Sequence, residues 1–123
     1  LINILAVGCG GFVGAISRYL LSAWVLRLTG DKLPWGTLFV NVLGCLLIGY
    51  FAQLALTREW FAPQWRLVVI SGFLGSLTTF TTFGFETLTL LETGQMRAAL
   101  VHIILNLSLG LAAVVLGRFL ANP

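Results

Sequence analysis

The sequence predicts an all-α membrane protein with four transmembrane helices, and three observations carry that prediction. Of the 123 residues, 59% are hydrophobic and only 9% are charged, with a mean hydropathy of +1.01. A soluble domain is about a quarter charged. The charges fall almost entirely between apolar runs at 4–26, 38–56, 67–91 and 98–116. Each run is long enough, at about 1.5 Å per helical residue, to cross a hydrocarbon core of about 30 Å. All four tryptophans flank the runs, Trp24 and Trp35 beside the first turn and Trp60 and Trp65 beside the second. Aromatic belts at membrane interfaces have this placement. A single transmembrane domain over residues 1–123 is expected, with no soluble domain beside it.

The first run reads as a span and not a cleaved leader, because it lacks a basic n-region and exceeds an h-region in length. Within it, Gly8-Cys9-Gly10-Gly11-Phe12-Val13-Gly14 imitates a dinucleotide loop. The last glycine comes one place late for that loop, and no βαβ unit follows. Gly10 and Gly14 read better as a small-xxx-small packing face. Cys9 and Cys45 lie within runs at no metal-like spacing and read as small packing residues. The second run opens on Pro34-Trp35-Gly36-Thr37 and carries Asn41; the fourth carries His102, Asn106 and Ser108.

The third run contains SGFLGSLTTFTTF, Ser71 to Phe83, in which five of the seven residues from Ser76 to Thr82 bear a hydroxyl. Gly72, Gly75 and Gly84 weaken the helix, and the hydroxyls compete for backbone hydrogen bonds. A break over Gly75–Thr78 is expected, freeing carbonyl oxygens at mid-membrane depth. Irregular backbone is tolerated there only when buried in protein or lining a polar cavity, and freed carbonyls suit a hard monovalent cation. Phe80 and Phe83, spaced i, i+3, project from one face beyond the break, a spacing that ordinary packing also produces.

The formal charge of +3 is scattered without a cluster, so nucleic acid is not expected as a partner. Across the membrane, one side receives Arg58, Arg66 and Arg118, the other Arg27, Lys32 and Arg97, with Arg18 inside the first span. Three against three leaves no positive-inside bias. Copies inserted in both orientations can then pair, which predicts an antiparallel homodimer. The polar residues within spans (Arg18, Asn41, Ser71, the hydroxyl cluster, Asn106 and Ser108) need protein or water for company. Any single Ser or Thr can bond back to its own helix; for the whole set, a second copy supplies partners.

With these residues assembled, the chain resembles the small dual-topology fluoride channels of the Fluc or CrcB type. The resemblance runs over essentially the full length. It rests on Gly14-x-x-x-Arg18, on Pro34-x-Gly36-Thr37-x-x-x-Asn41, on the third-run stretch from Gly72 to Phe83, and on Asn106-x-x-x-Gly110. It implies an antiparallel homodimer with two fluoride pores in a bacterial inner membrane. A structural Na⁺ on the two-fold axis would be held by the backbone carbonyls of Gly75 and Thr78. The fluoride pathway would pass Asn41, Phe80 and Phe83, with Thr37 and Arg18 near the vestibules. Two departures stand out. Thr81 replaces the serine often found between the phenylalanines, and His102 stands where many members carry tyrosine. His102 reads either as an interfacial residue or as a pore-mouth donor whose protonation tunes conductance.

The implied chemistry is intelligible residue by residue. Fluoride is small and strongly hydrated, so a pore must replace its water with donors, and an Asn amide and Thr hydroxyls donate. Ring edges carry positive quadrupole and favour an anion. A ring of arginines would hold the ion too tightly to conduct. The hydroxyls of Thr81 and Thr82 continue the polar track, and Asn106, Ser108 and His102 are supporting candidates. Passive export of fluoride trapped by ionisation of its weak acid is the expected function, and no enzymatic motif is present. The alternative is a small dual-topology antiporter exchanging cationic drugs for protons. That chemistry needs an intramembrane acid early in the chain, where this sequence has Arg18; Glu86 is the one acid well inside a run.

Overall fold

A computed structural model describes residues 1–122, and its elements follow the apolar runs. Helix α1 spans Ile2–Thr29 and ends on Gly30, whose φ of 77° is open to glycine at little cost and whose N–H closes on Leu26 O at 2.9 Å. Helix α2 spans Trp35–Thr57, entered through Pro34. Helix α3 covers residues 63–77. It starts with Pro63 in its first turn and winds wide, in π-helical i→i+5 fashion, over Arg66–Leu74 before tightening over Gly75–Leu77. Helix α4 spans Phe80–Glu92 and α5 spans Met96–Leu120. The α4–α5 turn is a Schellman motif on Gly94 (φ 76°), with Gln95 N–H donating to Leu90 O and Gly94 N–H to Leu91 O.

Four helical stretches, 2–29, 35–57, 63–92 and 96–120, are long and apolar enough to cross a membrane. The third is α3 and α4 taken together, and it is not continuous. Thr78 (φ −82°, ψ 152°) and Thr79 (φ −147°, ψ 113°) are extended. Irregular backbone was placed by the sequence over Gly75–Thr78, but Gly75–Leu77 remains helical and the two β-branched threonines take the extended conformation that suits them. The sequence carries no signal for the π-helical winding of 66–74.

Two close helix pairs hold the subunit together. Helix α1 lies along the π-helical segment, and α2 along α5. Glycines permit both approaches. A Cβ on Gly10 would strike the Val68 carbonyl, and one on Gly14 the Phe73 carbonyl. Gly49 and Gly117 play the same part between α2 and α5, against Val114 O and Leu46 O. Backbones that nearly touch gain dispersion contacts that a bilayer's own apolarity cannot supply. The α2–α5 pair is tied at one end by Arg118 Nε donating to Gln53 Oε1 at 3.0 Å. Arg66 reaches from α3 to the Ala55 carbonyl. Trp60 and Trp65 are exposed around the turn between α2 and α3, in keeping with interfacial anchoring.

Candidate functional site

The hydroxyls of the spans divide by where they bond. Ser108 Oγ donates to Ile104 O at 2.6 Å, Thr87 to Phe83 O at 2.7 Å and Thr78 to Leu74 O at 3.1 Å. These satisfy themselves on their own helices, and Ser108 lies away from the polar centre described next. Thr37, Thr79 and Thr82 bond elsewhere. Thr79 caps α4: its Oγ1 accepts from Thr82 N–H at 3.2 Å and donates to Thr82 Oγ1 at 2.9 Å. Thr81 Oγ1 stands 3.4 Å from the same oxygen.

Asn41, in the second turn of α2, grips Thr79 in both directions. Thr79 N–H donates to Asn41 Oδ1 at 2.8 Å, and Asn41 Nδ2 donates to Thr79 O at 3.2 Å. The extended residue is thereby paired as a strand residue would be. Asn41 Nδ2 also donates to Asn106 Oδ1 at 3.1 Å, and Asn106 Nδ2 reaches His102 O at 2.9 Å and His102 Nδ1 at 3.1 Å. On the far side of the imidazole, Nε2 faces Glu86 Oε2 at 3.5 Å, while Glu86 Oε1 accepts from Thr37 Oγ1 at 2.8 Å. One polar series thus runs from Thr82 through Thr79, Asn41, Asn106, His102 and Glu86 to Thr37, joining α2, α4 and α5.

Two cavities flank this series, and Thr79 lines both. One, of about 290 Å³, is bounded by Asn41, Cys45, Thr78, Thr79, Phe80, Phe83 and Asn106 among others, with no charged side chain. The second, of about 370 Å³, gathers Arg18, Tyr19, Ser22, Thr37, Thr82 and Glu86 around Thr79. Phe80 and Phe83 have ring centroids 5.6 Å apart, and Phe83 stands 5.1 Å from the His102 ring. Phe80 is 80% exposed, and Ser71, Gly75, Thr81 and Thr82 along the same third span are exposed too. Because α4 begins at Phe80, its first backbone N–H groups have no intrahelical acceptor and give that end a partial positive charge.

The carbonyls of Gly75 and Thr78 are released by the same bonding. The N–H groups that would close helical turns onto them are those of Thr79 and Thr82, which donate instead to Asn41 Oδ1 and Thr79 Oγ1. Neutral carbonyl oxygens without their amide donors are the donor type a Na⁺ ion takes, so these two residues fit such an ion.

Of the residues singled out from the sequence, the structure brings Asn41, Phe80, Phe83 and Asn106 to one cavity, and Arg18, Thr37 and Thr82 to the other. His102 is buried within the subunit, 1% exposed. Two residues of the centre were not singled out. Thr79 was lost among five similar hydroxyls, although its place as the capping residue before Phe80 is a recognisable helix start. In the sequence Glu86 stands out only as an acid an antiporter could use; being the lone carboxylate well inside a run is the signal that it needs partners.

Four spanning helices around a buried polar centre define a small multi-pass membrane protein. The family described as "CrcB-like protein, Camphor Resistance (CrcB)" matches residues 5–118. A relative from Sulfurovum sp. (strain NBC37-1) is 48% identical over 117 residues, covering 95% of this chain and 91% of its own. One from Rhizobium meliloti (strain 1021) is 42% identical, covering 94% and 92%. One from Clostridium perfringens (strain 13 / Type A) is 41% identical, covering 99% and 95%. All three are named "Fluoride-specific ion channel FluC". The chain belongs to the CrcB family and is not an enzyme. Its relatives are bacterial, in keeping with a bacterial inner membrane, and lend no support to the antiporter reading.

Proposed function

We propose that the chain forms a fluoride channel whose ion path runs past Asn41, Phe80 and Phe83. The observation that carries this reading is the uncharged cavity where those three side chains converge at the start of a helix. Fluoride needs donors in place of water. The cavity offers an amide, hydroxyls, ring edges and the positive end of α4, and no arginine to arrest the ion. Both hydrogens of Asn41 Nδ2 are already engaged, at 3.1 and 3.2 Å. Bonds of that length are at the weak end of the range, so exchanging one for an anion costs little. Arg18, in the neighbouring cavity, would raise the local fluoride concentration without touching the path.

Pairing of two copies follows from the exposed flank. Ser71, Thr81 and the Gly75 backbone would otherwise face hydrocarbon. The balanced charges favour an antiparallel partner, and two-fold symmetry then gives two equivalent pores. The carbonyls of Gly75 and Thr78 from each copy would hold one Na⁺ across the axis. Bound there, the ion would join the subunits at the interrupted third span, which would lie at mid-membrane depth. Export is passive, driven by an interior-negative potential worth about 2.3 kcal/mol per charge per 100 mV. The kinship with relatives named for fluoride supports the choice of ion.

The test is fluoride efflux from loaded proteoliposomes followed with a fluoride electrode. Efflux well above protein-free vesicles is expected; a rate equal to theirs refutes the channel. Replacing Na⁺ by N-methyl-D-glucamine on both sides should lower the dimer fraction and the efflux together. Indifference of both to Na⁺ would remove the ion from the account and leave the channel standing.

A further inference from the structure

The chain has one histidine, and its protonation state is written into the hydrogen bonds around it. At one end of the series, Thr79 N–H can only donate, and it takes Asn41 Oδ1. Asn41 must then turn its nitrogen toward Thr79 O and Asn106 Oδ1. At the other end, the His102 backbone carbonyl can only accept, and Asn106 Nδ2 donates to it. With both amides oriented by backbone groups, the 3.1 Å contact between Asn106 Nδ2 and His102 Nδ1 is a hydrogen bond only if Nδ1 presents a lone pair. The ring proton of the neutral imidazole then sits on Nε2, opposite Glu86 Oε2. Those two buried atoms have no hydrogen-bond partner among the described residues, and a carboxylate oxygen 3.5 Å away suits the same tautomer.

We propose that His102 is a positioning residue for the ion path: its Nδ1 lone pair sets the direction of the amide relay Asn106–Asn41–Thr79, and a proton on Nδ1 reverses it. This rests on the channel reading above. With Nδ1 protonated, Asn106 must offer Oδ1 to the ring, which turns its nitrogen onto the nitrogen of Asn41. Turning Asn41 over to relieve that contact sets its oxygen against Thr79 O and its nitrogen against Thr79 N–H. Two repulsive contacts replace two bonds at the extended residue that caps the Phe80 helix. Protonation therefore loosens the grip of α2 on the residue before Phe80, and flux falls.

The charged and titratable groups around the ring are few. From α4, Glu86 faces Nε2 and favours a positive ring. From α1, Arg18 shares the cavity of Glu86 and opposes it. From α2, Thr37 and Asn41 carry no charge, and Cys45 lies further along, in the cavity of Asn106. On α5 itself the nearest charge in sequence is Arg97, in the first turn.

Selective ¹⁵N labelling of histidine gives a single imidazole, so its NMR spectrum reads the tautomer of His102 without assignment. The expected state is Nε2–H with a bare Nδ1, and Asn106→Asp, whose carboxylate only accepts, should put a proton on Nδ1. A wild-type ring carrying its proton on Nδ1 overturns the proposal. In proteoliposomes, with protein-free leakage subtracted at each pH, wild-type efflux should fall about fivefold between about pH 8 and about pH 5.5, where imidazole titrates. His102→Leu, which offers Asn106 no acceptor, should be slow throughout. His102→Gln offers an oxygen to Asn106 and an N–H to Glu86; it should restore efflux over the leucine variant and flatten the pH profile. A glutamine variant as pH-dependent as the wild type, or a wild type that speeds up in acid, overturns the proposal. Absence of wild-type efflux at every pH defeats the channel reading instead, and the tautomer still decides the relay.

Discussion

Asn41 does more than present a donor to an ion, because it is also what holds Thr79 extended. Asparagine alone among the side chains of that length offers an acceptor and a donor spaced to pair with one residue's N–H and C=O. Asn41→Asp keeps the acceptor, loses both donor bonds and brings a carboxylate against the carbonyl of Thr79. At about 1 kcal/mol for each bond, before any repulsion, the variant should lose about 2–4 kcal/mol of stability in detergent and at least about tenfold in fluoride efflux. Thermal unfolding and electrode efflux on one preparation check both numbers. Full flux in a fully stable variant would take Asn41 out of the site. The sequence pointed to Asn41 because an amide inside a span needs partners. It could not point to Thr79 as the partner, since that pairing depends on how α2 meets the interruption at residues 78 and 79.

At the scale of helices, the four spans were legible because a bilayer demands long apolar runs, and four stand out in the sequence. The Gly10–Gly14 face was legible too, and the structure uses it against Val68 and Phe73. The glycines of the third run suggest irregular backbone, yet Gly72 serves the close approach of α1, where its Cβ would lie 2.6 Å from Val7 O. The threonines, not the glycines, carry the extended backbone. That exchange of roles was hidden because a glycine for packing and a glycine for bending are the same letter. The packing faces make a sharp contrast. Gly14→Val drives a side chain into backbone and should cost at least about 1–3 kcal/mol. Gly8→Ala meets open space and should be neutral or gain up to about 1 kcal/mol in helix propensity. Melting temperatures of the two variants in the same detergent decide it; equal melting would mean that α1 does not pack as described.

At the scale of the whole molecule, a single subunit leaves its polar flank uncovered, and this is the reason for expecting a partner. In an antiparallel pair only residues near the two-fold axis meet their own copies. With Cys9 and Cys45 replaced, Gly75→Cys should therefore cross-link to itself, and Trp65→Cys, at the membrane interface, should not; self-cross-linking at both positions would indicate a parallel pair. The charge balance of the sequence is what favours an antiparallel pair, whereas the cavity that joins Asn41 to Phe80, Phe83 and Asn106 was not legible, because cavities arise from packing and not from pattern. The central claim is that this small bundle passes fluoride and discriminates against other anions. It is tested most directly by the current across a planar bilayer with fluoride on one side and chloride on the other. The account predicts a current that reverses near the fluoride equilibrium potential and does not shift with a proton gradient imposed at constant fluoride. Reversal near zero, or reversal that follows the proton gradient, would contradict it.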